Sequence, residues 1–522
     1  MSQSRSRRAS PGVFVLLALV LATALATPPS PTSGQSKDTL TIALPIEVPS
    51  ADTHLAIGLP AIGMVAQISD TLVVLDERGR VKPWLAESWT QEDGGRSLVF
   101  KIRENVRMHD GRTLTADDVA FSLDRFRRIA IGRSALAPVE SVSVLPGNRV
   151  KVTTKAPFAP LLLTFTYQSV GIFSKAAIEK AGNDQEFAKQ PIGPGPYKFV
   201  RLVRGDRMEL EAFDQYWAGK PKIRRVIVRY VPDISARVAA LESGDVDVIH
   251  DFTPQDAERI KKNPNLVFIN PPSSGFIRFN MNTQRPPFND VRVRHAMAYA
   301  IDRDAIVKQI FAGLARVAHS PVPANAMGAV DTYDIYRYNP EKAKALLQEA
   351  GVPNLTFNFY YGAGRYLMDK EVVEAVQAQL AKIGVTMRIN QMEWGQYSAM
   401  LRLPLERNPT QMSFTWWRTV NADADSAIGI FTRADLPPRG NNVPFYVSEE
   451  FERLYAAQQT EPDQERRRAI IRQLQQVIMN DLPVIPMYQQ PIFWATRKNV
   501  QGYARHVTSL STTWPLYDIE VR

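Results

Sequence analysis

The stretch Lys370–Asn390, KEVVEAVQAQLAKIGVTMRIN, contains the pattern that decides the fold. Val373, Val376 and Leu380 recur at helical spacing and form one apolar face. The pattern breaks at Gly384, after which apolar and polar residues alternate as they do in a β-strand. A helix that turns at a glycine into a strand predicts an α/β architecture.

The same plan recurs earlier in the chain. Residues 237–250, RVAALESGDVDVIH, predict a helix that ends near Gly244 and a strand around Val246–Ile249. Thr115 and Asp118 have the spacing of a capping box and predict the start of another helix. No fixed-period repeat is visible, so these units are not copies of one motif.

Two further elements are predicted from local signals. Thr39–Leu44, TLTIAL, alternates apolar and polar residues as a half-buried strand does. Asn339 followed by Pro340 predicts a helix start, and Gly351 predicts its left-handed end. With 522 residues, the chain is long enough for about three domains of roughly 150 residues each.

The N-terminus has the features of an export signal. Three arginines precede an apolar run from Val13 to Leu25, and the small residues that follow fit cleavage after Ala26. We predict a signal peptide over residues 1–26 and a flexible linker over residues 27–38, which are rich in Pro, Ser and Thr. The alternative is a retained N-terminal anchor, but the apolar run is short for a membrane span. The mature protein is expected in the periplasm.

Composition excludes several classes of site. The chain is 45% hydrophobic and 22% charged, as ordinary globular proteins are. It has no cysteine, which rules out disulfides, thiolate metal sites and cysteine nucleophiles. The net charge of +10 is spread along the sequence, and nucleic acid is not an expected partner of an exported protein.

The sequence carries none of the common catalytic or metal-binding motifs. Its six histidines lie far apart, and none pairs with another at metal-ligand spacing. There is no nucleophile elbow, Walker loop or dinucleotide fingerprint. Pro191–Phe199, PIGPGPYKF, is glycine-rich, but its prolines lack the N–H groups that a phosphate loop needs. That segment predicts a rigid turn, and no cofactor is expected.

Phe414–Ser426, FTWWRTVNADADS, gathers two tryptophans, an arginine and two aspartates. Asp423 and Asp425 could bind a cation, but a hard cation needs about six oxygen ligands and the pattern stops after the second aspartate. The same pair could perform acid–base chemistry, for which spacing alone is weak support. Because adjacent residues of a strand point to opposite faces, Trp416 and Trp417 are expected to point in opposite directions.

Long motifs in a fixed order resemble the family 5 periplasmic solute-binding proteins of ABC importers, the dipeptide-, oligopeptide- and nickel-binding group. The similarity covers roughly residues 39 to 500. The stretches that carry it are PWLAESW (83–89), VFKIRENVRMHDGRTLTADDVAFSLDR (99–125), PIGPGPYKF (191–199), YWAGKPKIRRV (216–226), AALESGDVDVI (239–249), FNMNTQRPPFNDVRVRHAMAYAIDRDAIV (279–307), YNPEKAKALLQEAG (338–351), QLAKIGVTMRI (379–389) and MNDLPVIPMY (479–488).

The resemblance implies a two-lobed, clam-like α/β protein of the type II periplasmic-binding-protein fold. Lobe I would be discontinuous, lobe II would be continuous, and a subdomain would be inserted in lobe I. Two crossovers, near Pro271-Pro272 and Pro483–Pro486, would form the hinge. The implied ranges are 37–76, 191–273 and 485–522 for lobe I, 77–190 for the subdomain and 276–484 for lobe II.

In this family the segment that corresponds to FTWWRTVNADADS lines the interlobe cleft. The ligand-binding residues implied by the resemblance, with cleft candidates near them, are Trp416, Trp417, Arg418, Asp423, Asp425, Arg365, Tyr366, Trp394, Tyr397 and His54. Arg418 would grip a carboxylate, and Asp423 or Asp425 would receive an ammonium or hydroxyl group. Peptide-binding relatives place an Asp three residues after a Trp, where this chain has Val420 after Trp417.

The implied function is that of a non-enzymatic receptor. It would capture a small polar solute, foremost a di- or oligopeptide or peptide-like compound, and deliver it to the inner-membrane permease of an ABC importer. The receptor is expected to be a monomer without a cofactor or a bound metal. The alternatives are a non-peptide ligand, such as a metal complex, an opine or a sugar, and a secreted hydrolase.

Overall fold

The computed structural model describes residues 38–56, 59–76, 79–129, 135–271, 273, 275–324, 326–331, 333–419, 423–503 and 516–522. The predicted signal peptide and all but the last residue of the predicted linker lie outside these ranges. No helix within them is long and apolar enough to cross a bilayer.

The strands are numbered in chain order. They are β1 Thr39–Leu44, β2 Val73–Leu75, β3 Val81–Pro83, β4 Ala86–Glu92, β5 Ser97–Ile102, β6 Val139–Leu145, β7 Arg149–Thr154, β8 Tyr197–Val203, β9 Arg207–Ala212, β10 Arg225–Tyr230, β11 Val248–His250, β12 Leu266–Ile269, β13 Gly275–Met281, β14 Arg316–Val317, β15 Thr356–Gly362, β16 Thr386–Met392, β17 Met412–Arg418, β18 Val484–Gln489, β19 Trp494–Arg497, β20 Val500–Gln501 and β21 Glu520–Val521.

The α-helices lie between these strands. They span Leu59–Val65, Ala116–Arg128, Leu161–Thr164, Lys175–Ala181, Asp184–Phe187, Ile234–Ser243, Pro254–Lys262, Val291–Ala300, Arg303–Ile310, Pro340–Glu349, Asp369–Ala381, Trp394–Leu401, Ala424–Ile428, Glu449–Thr460 and Gln464–Asp481.

The first lobe is built on a seven-stranded sheet with the order β12-β19-β11-β1-β10-β9-β8. β1 pairs in parallel with both β10 and β11. Residues 40–44 of β1 are all buried, so the prediction of a half-buried strand was wrong about its environment. Central strands of an α/β sheet are covered on both faces, which makes both sets of side chains part of a core.

The second lobe is built on a six-stranded sheet with the order β14-β18-β13-β17-β15-β16. The helix Asp369–Ala381 connects the parallel strands β15 and β16. Gly384 has a φ of +81°, a left-handed conformation that suits glycine because it has no Cβ. The predicted succession of helix, glycine and strand is confirmed.

A subdomain with a core of its own interrupts the first lobe. Its four-stranded antiparallel sheet has the order β4-β5-β7-β6. The helix Ala116–Arg128 packs on it and begins with the predicted capping box of Thr115 and Asp118. Apolar side chains between Leu72 and Ile172 form the subdomain core.

Two connections join the lobes. The first runs from β12 to β13. The second runs from β18, which pairs with β13 in the second lobe, to β19, which pairs with β11 in the first. This connection therefore spans residues 490–493 and lies beyond the predicted return to lobe I at residue 485. The apolar composition of β18 predicts a buried strand but does not tell which sheet the strand joins.

The glycines of PIGPGPYKF are explained by a close backbone approach. A Cβ on Gly193 would lie 2.3 Å from the carbonyl oxygen of Ile68, and one on Gly195 would lie 2.4 Å from that of Gln67. The His109 ring adds a contact at 2.9 Å between its Nε2 and the Gly195 carbonyl oxygen. The segment thus holds two chain segments of the first lobe together.

Candidate functional site

The two tryptophans of β17 lie on opposite faces of the second-lobe sheet. Trp416 packs on the same side as Phe414, whereas Trp417 packs on the other side and donates its Nε1–H to the Ser426 carbonyl oxygen at 3.3 Å. Both side chains are half-buried. The absence of a side chain at Gly275 makes room for Trp416, since a Cβ there would lie 2.5 Å from its ring.

Arg418 ends β17 and reaches toward the first-lobe subdomain. Its Cζ lies 5.9 Å from the centre of the Tyr167 ring and 6.0 Å from that of Trp416. The side chain is half-buried, and its Nη1 is withdrawn from water without a hydrogen-bond partner in the described part of the chain. A desolvated guanidinium with an unused donor suits an anionic group of a ligand.

Asp423 is not available to a ligand in the way that the sequence suggested. It is fully buried, and its two oxygens accept hydrogen bonds from Nη1 and Nη2 of Arg467, both at 2.8 Å. It also caps the helix Ala424–Ile428 by accepting from the backbone N–H of Asp425 at 2.9 Å. Its carboxylate is thus part of the internal framework of the second lobe.

Asp425 is also engaged within the second lobe. It is half-buried and accepts hydrogen bonds from the side-chain amides of Gln458 and Gln459. Burial, followed by the negative charge of Asp423, raises its pKa above the usual range. The Oδ1 of Asp425 is thus already shared by two donors of the protein itself.

Arg365, Tyr366 and Trp394 form a second aromatic and cationic cluster. The Cζ of Arg365 lies 5.1 Å from the centre of the Trp394 ring and 5.8 Å from that of Tyr366. The Arg365 side chain is exposed, and Asp369 fixes the loop by accepting from the backbone N–H groups of residues 365 and 366 at 3.0 and 3.1 Å. The structure therefore brings these three candidates together.

Tyr397 belongs to the core. Its side chain is fully buried, its hydroxyl donates to the Phe414 carbonyl oxygen at 2.7 Å, and it accepts from the Phe414 N–H at 3.1 Å. Its proton is used within the protein, and a side chain that is 0% exposed offers no surface to a solute. The expectation that Tyr397 binds ligand is not supported by this geometry.

His54 is also a structural residue. Its Nε2 lies 2.8 Å from the Gly171 carbonyl oxygen, and its Nδ1 lies 3.0 Å from Nη1 of Arg125. Because Arg125 can only donate, Nδ1 accepts and Nε2 carries the proton. Burial lowers the pKa of His54 to about 4, so the ring is neutral at ordinary pH.

Sequence reasoning missed a polar group on the first-lobe side. Gln168 and Ser169 follow Tyr167 directly and are buried, and both amide atoms of Gln168 and the Ser169 hydroxyl lack partners among the described residues. The Thr53 hydroxyl nearby is in the same situation. No motif marks these residues; Gln168 and Ser169 draw attention because they directly follow Tyr167, whose ring lies 5.9 Å from the Arg418 Cζ.

The lobes also meet through their backbones. The N–H of Ala159, in the subdomain, donates to the carbonyl oxygen of Gln459, in the second lobe, at 2.7 Å. Beside this bond lies a cavity of about 750 Å³ whose walls include Trp89 and Phe158 from the subdomain and Met327 from the second lobe. That volume is within the range of small-molecule sites, roughly 300–1,000 Å³.

Known proteins match nearly the whole chain. The model of the bacterial extracellular solute-binding proteins, family 5, matches residues 80–435. The glutathione-binding protein GsiB of Salmonella typhimurium is 31% identical over 440 residues, which are 82% of this chain and 84% of that protein. The dipeptide-binding protein of Escherichia coli is 29% identical over 454 residues, 81% of this chain and 83% of that protein.

The fold comparison agrees. The periplasmic binding protein DppA of Helicobacter pylori, solved with the peptide STSA, superposes with a TM-score of 0.77 at 27% identity. The match covers 93% of this chain and 98% of that one. The two-lobed α/β architecture predicted from the sequence is therefore confirmed, and the chain belongs to the family 5 bacterial extracellular solute-binding proteins.

Proposed function

We propose that this protein is a non-catalytic receptor of the periplasm. It captures a peptide or peptide-like solute between its lobes and hands it to the permease of an ABC importer. The family supports solute capture and delivery, and the relatives named for dipeptides and glutathione support the peptide class. The monomeric state, the periplasmic location and the lobe boundaries are parts of the same proposal.

The unpartnered polar groups at and next to the contact between Arg418 and Tyr167 carry the proposal. Among the described residues, Arg418 of the second lobe has an unused donor, and Gln168 and Ser169, which directly follow Tyr167 in the subdomain, are buried with unused groups. Each buried polar group without a partner costs about 1–3 kcal/mol. A solute that supplies the missing hydrogen bonds removes that cost only when the lobes are together, and it therefore favours the closed state.

The side chains suggest how a solute would be held. Arg418 would bind a carboxylate, and the half-buried rings of Trp416 and Trp394 would cover apolar parts of the solute, whereas Trp417 lies on the other face of the sheet. Arg365, which is exposed and lies 5.1 Å from the centre of the Trp394 ring, would be a second contact for an anion. Asp423 and Asp425 are both occupied by protein partners, which removes the main support for a hydrolase built on them.

The test uses protein purified from the periplasm without refolding. Native mass spectrometry should show one bound compound per chain, and small-angle scattering should show compaction when that compound is added back to stripped protein. Arg418→Gln should weaken binding, whereas Arg402→Gln, on an exposed residue, should not. A sample that carries no solute, and that no periplasmic extract compacts, would contradict the receptor function.

A further inference from the structure

Asp251 stands where the two interlobe connections meet the first-lobe sheet. It directly follows β11, whose last residue, His250, is paired with Trp494 at the start of β19. Trp494 in turn pairs with Ile269 at the end of β12. The backbone N–H of Asp251 donates to the carbonyl oxygen of Phe493, in the second connection, at 2.8 Å. Asp251 therefore lies beside the hinge, at the carboxyl end of a parallel strand, where α/β proteins place ligands.

The backbone at Asp251 is held in an unusual conformation. Its φ is +53°, in the left-handed region that few residues other than glycine adopt. Arg237 fixes this turn by donating to the carbonyl oxygens of His250, at 3.1 Å, and of Asp251. The guanidinium of Arg237 thus holds the Asp251 backbone in one conformation.

The Asp251 carboxylate has no hydrogen bond or ion pair with any residue in the described ranges. The side chain is exposed to solvent, yet desolvation by the surrounding protein raises its pKa to about 6, an effect that the charge of Arg237 partly offsets. Solvent can therefore reach the carboxylate. Asp251 thus differs from Asp423 and Asp425, which have protein partners.

The second lobe lies against this region. Leu314 and Leu367 of that lobe pack on the apolar cluster that contains Phe252 and Phe493. Leu367 follows Tyr366 in the loop that also carries Arg365. On the second connection, the side-chain oxygen of Gln490 is buried without a partner among the described residues. The Gln490 side-chain oxygen and the Asp251 carboxylate are thus two polar groups beside the second connection that have no partner among the described residues.

We propose that Asp251 receives the α-ammonium group of a peptide or peptide-like ligand whose anionic group is bound by Arg418. One contact would then lie on each lobe, so that a single ligand bridges the cleft. The inference rests on the proposed function. It assigns the acidic role, which the sequence placed on Asp423 or Asp425, to a residue of the other lobe.

Charge at the hinge makes this contact depend on pH. Arg237, from the helix Ile234–Ser243, faces Asp251 within the first lobe, with Asp233 at the start of the same helix. His250, the preceding residue, is buried and neutral because burial lowers its pKa to about 3. Arg365 is carried by the loop of the opposite lobe that packs at the hinge. As the pH falls through about 6, Asp251 takes up a proton and loses its attraction for an ammonium group.

The experiment uses an equimolar mixture of synthetic di- to tetrapeptides and the same mixture after N-acetylation. Native mass spectrometry of the full mature chain should show the free-amine peptides bound at pH 7.5, and at least tenfold less of the acetylated ones. Asp251→Asn should reduce this preference to less than twofold, because asparagine tolerates the left-handed backbone but carries no charge. Asp117→Asn, on an exposed residue of the subdomain, should leave the preference unchanged.

The other outcomes are equally decisive. If wild-type protein binds acetylated peptides as well as free ones, or if Asp251→Asn keeps the preference, Asp251 is not the ammonium site and the receptor function stands. If neither mixture binds, the inference fails, and the compound that copurifies from the periplasm decides on the receptor function. The wild-type preference measured at pH 5 and pH 7.5 gives a check that needs no variant, since it should shrink at pH 5.

Discussion

Arg125 in the first lobe and Arg418 in the second are both withdrawn from water, but only Arg125 meets carboxylates. Arg125 is 2% exposed, contacts Asp52, and donates to Asp184 at 2.7 Å and to His54 at 3.0 Å. Arg418 lies about 6 Å from the centres of two aromatic rings and has a donor without a partner among the described residues. The same side chain thus stabilises the fold in one place and is left available in the other. Charged side chains whose hydrogen bonds are completed within the protein, here called framework charges, can therefore be told apart from those that remain candidates for binding.

The largest effect is expected from Arg125→Met. This change leaves the Asp52 carboxylate, which is fully buried, without its cation, and it should lower the free energy of unfolding by about 3–5 kcal/mol. The loss in the free energy of unfolding is measured by urea denaturation, with circular dichroism as the signal. Lys189→Met is the control, because Lys189 forms an exposed pair with Glu186 that is worth at most about 1 kcal/mol. If both variants lose the same free energy of unfolding, buried and surface ion pairs do not differ in the way proposed.

The next largest effect is on the pH dependence of the free energy of unfolding, and it comes from His54, which contacts Arg125. His54 has a pKa of about 4 in the folded protein and 6.5 in the unfolded chain. Between these values only the unfolded state binds the proton, so the free energy of unfolding falls as the pH falls from 6.5 toward 4. The share of His54 in that fall is about 3 kcal/mol, at about 1.4 kcal/mol per pKa unit. In His54→Gln, the fall in the free energy of unfolding between pH 6.5 and pH 4 should be smaller by this amount. The same fall in the variant and the wild type would show that His54 is not a buried neutral histidine.

Arg418→Met should have the opposite signature. No protein ion pair is lost among the described residues, so the free energy of unfolding should change by less than about 0.5 kcal/mol. Affinity for the copurified solute should fall roughly 10- to 100-fold, because a hydrogen bond to a charged group is worth about 1.5–3 kcal/mol. Isothermal titration calorimetry measures the loss, with Arg402→Met as the control. A large loss of stability with unchanged affinity would place Arg418 in the framework.

Tyr397→Phe should give the smallest effect and sharpen the boundary between the two groups. The variant loses the hydrogen bonds between the hydroxyl and the Phe414 backbone, and it should lose about 0.5–1.5 kcal/mol of stability. Affinity for the solute should not change. Reduced affinity in a variant of normal stability would return Tyr397 to the ligand site that the sequence predicted for it.

The parts of the fold that depend on local signals could be predicted from the sequence. The helix before Gly384 and the capping box at Thr115 are specified by residues a few positions apart, and both are present. The roles of individual polar residues could not be predicted in this way. Asp423 is bound by Arg467, 44 positions later, and His54 by Arg125, 71 positions later. Such pairs depend on how the elements pack, which no local pattern contains.

The candidate site was likewise predictable only where its residues are close together in the sequence. The sequence identified the strand with Trp416, Trp417 and Arg418, because aromatic and charged residues stand together there. It gave no sign of Asp251, whose interest arises from its place at the hinge and from the absence of a carboxylate partner in the described ranges. Residues become candidates for binding through what they do not contact, and a sequence alone does not record contacts.

The bond between Ala159 and Gln459 has an evolutionary consequence. Both of its atoms belong to the main chain, so substitutions in the cleft leave the donor and the acceptor in place. Mutations can therefore change the side chains that recognise the solute without removing the hydrogen bond between Ala159 and Gln459. Selection can then act on specificity with little effect on this contact, which fits relatives named for binding ligands as different as dipeptides and glutathione.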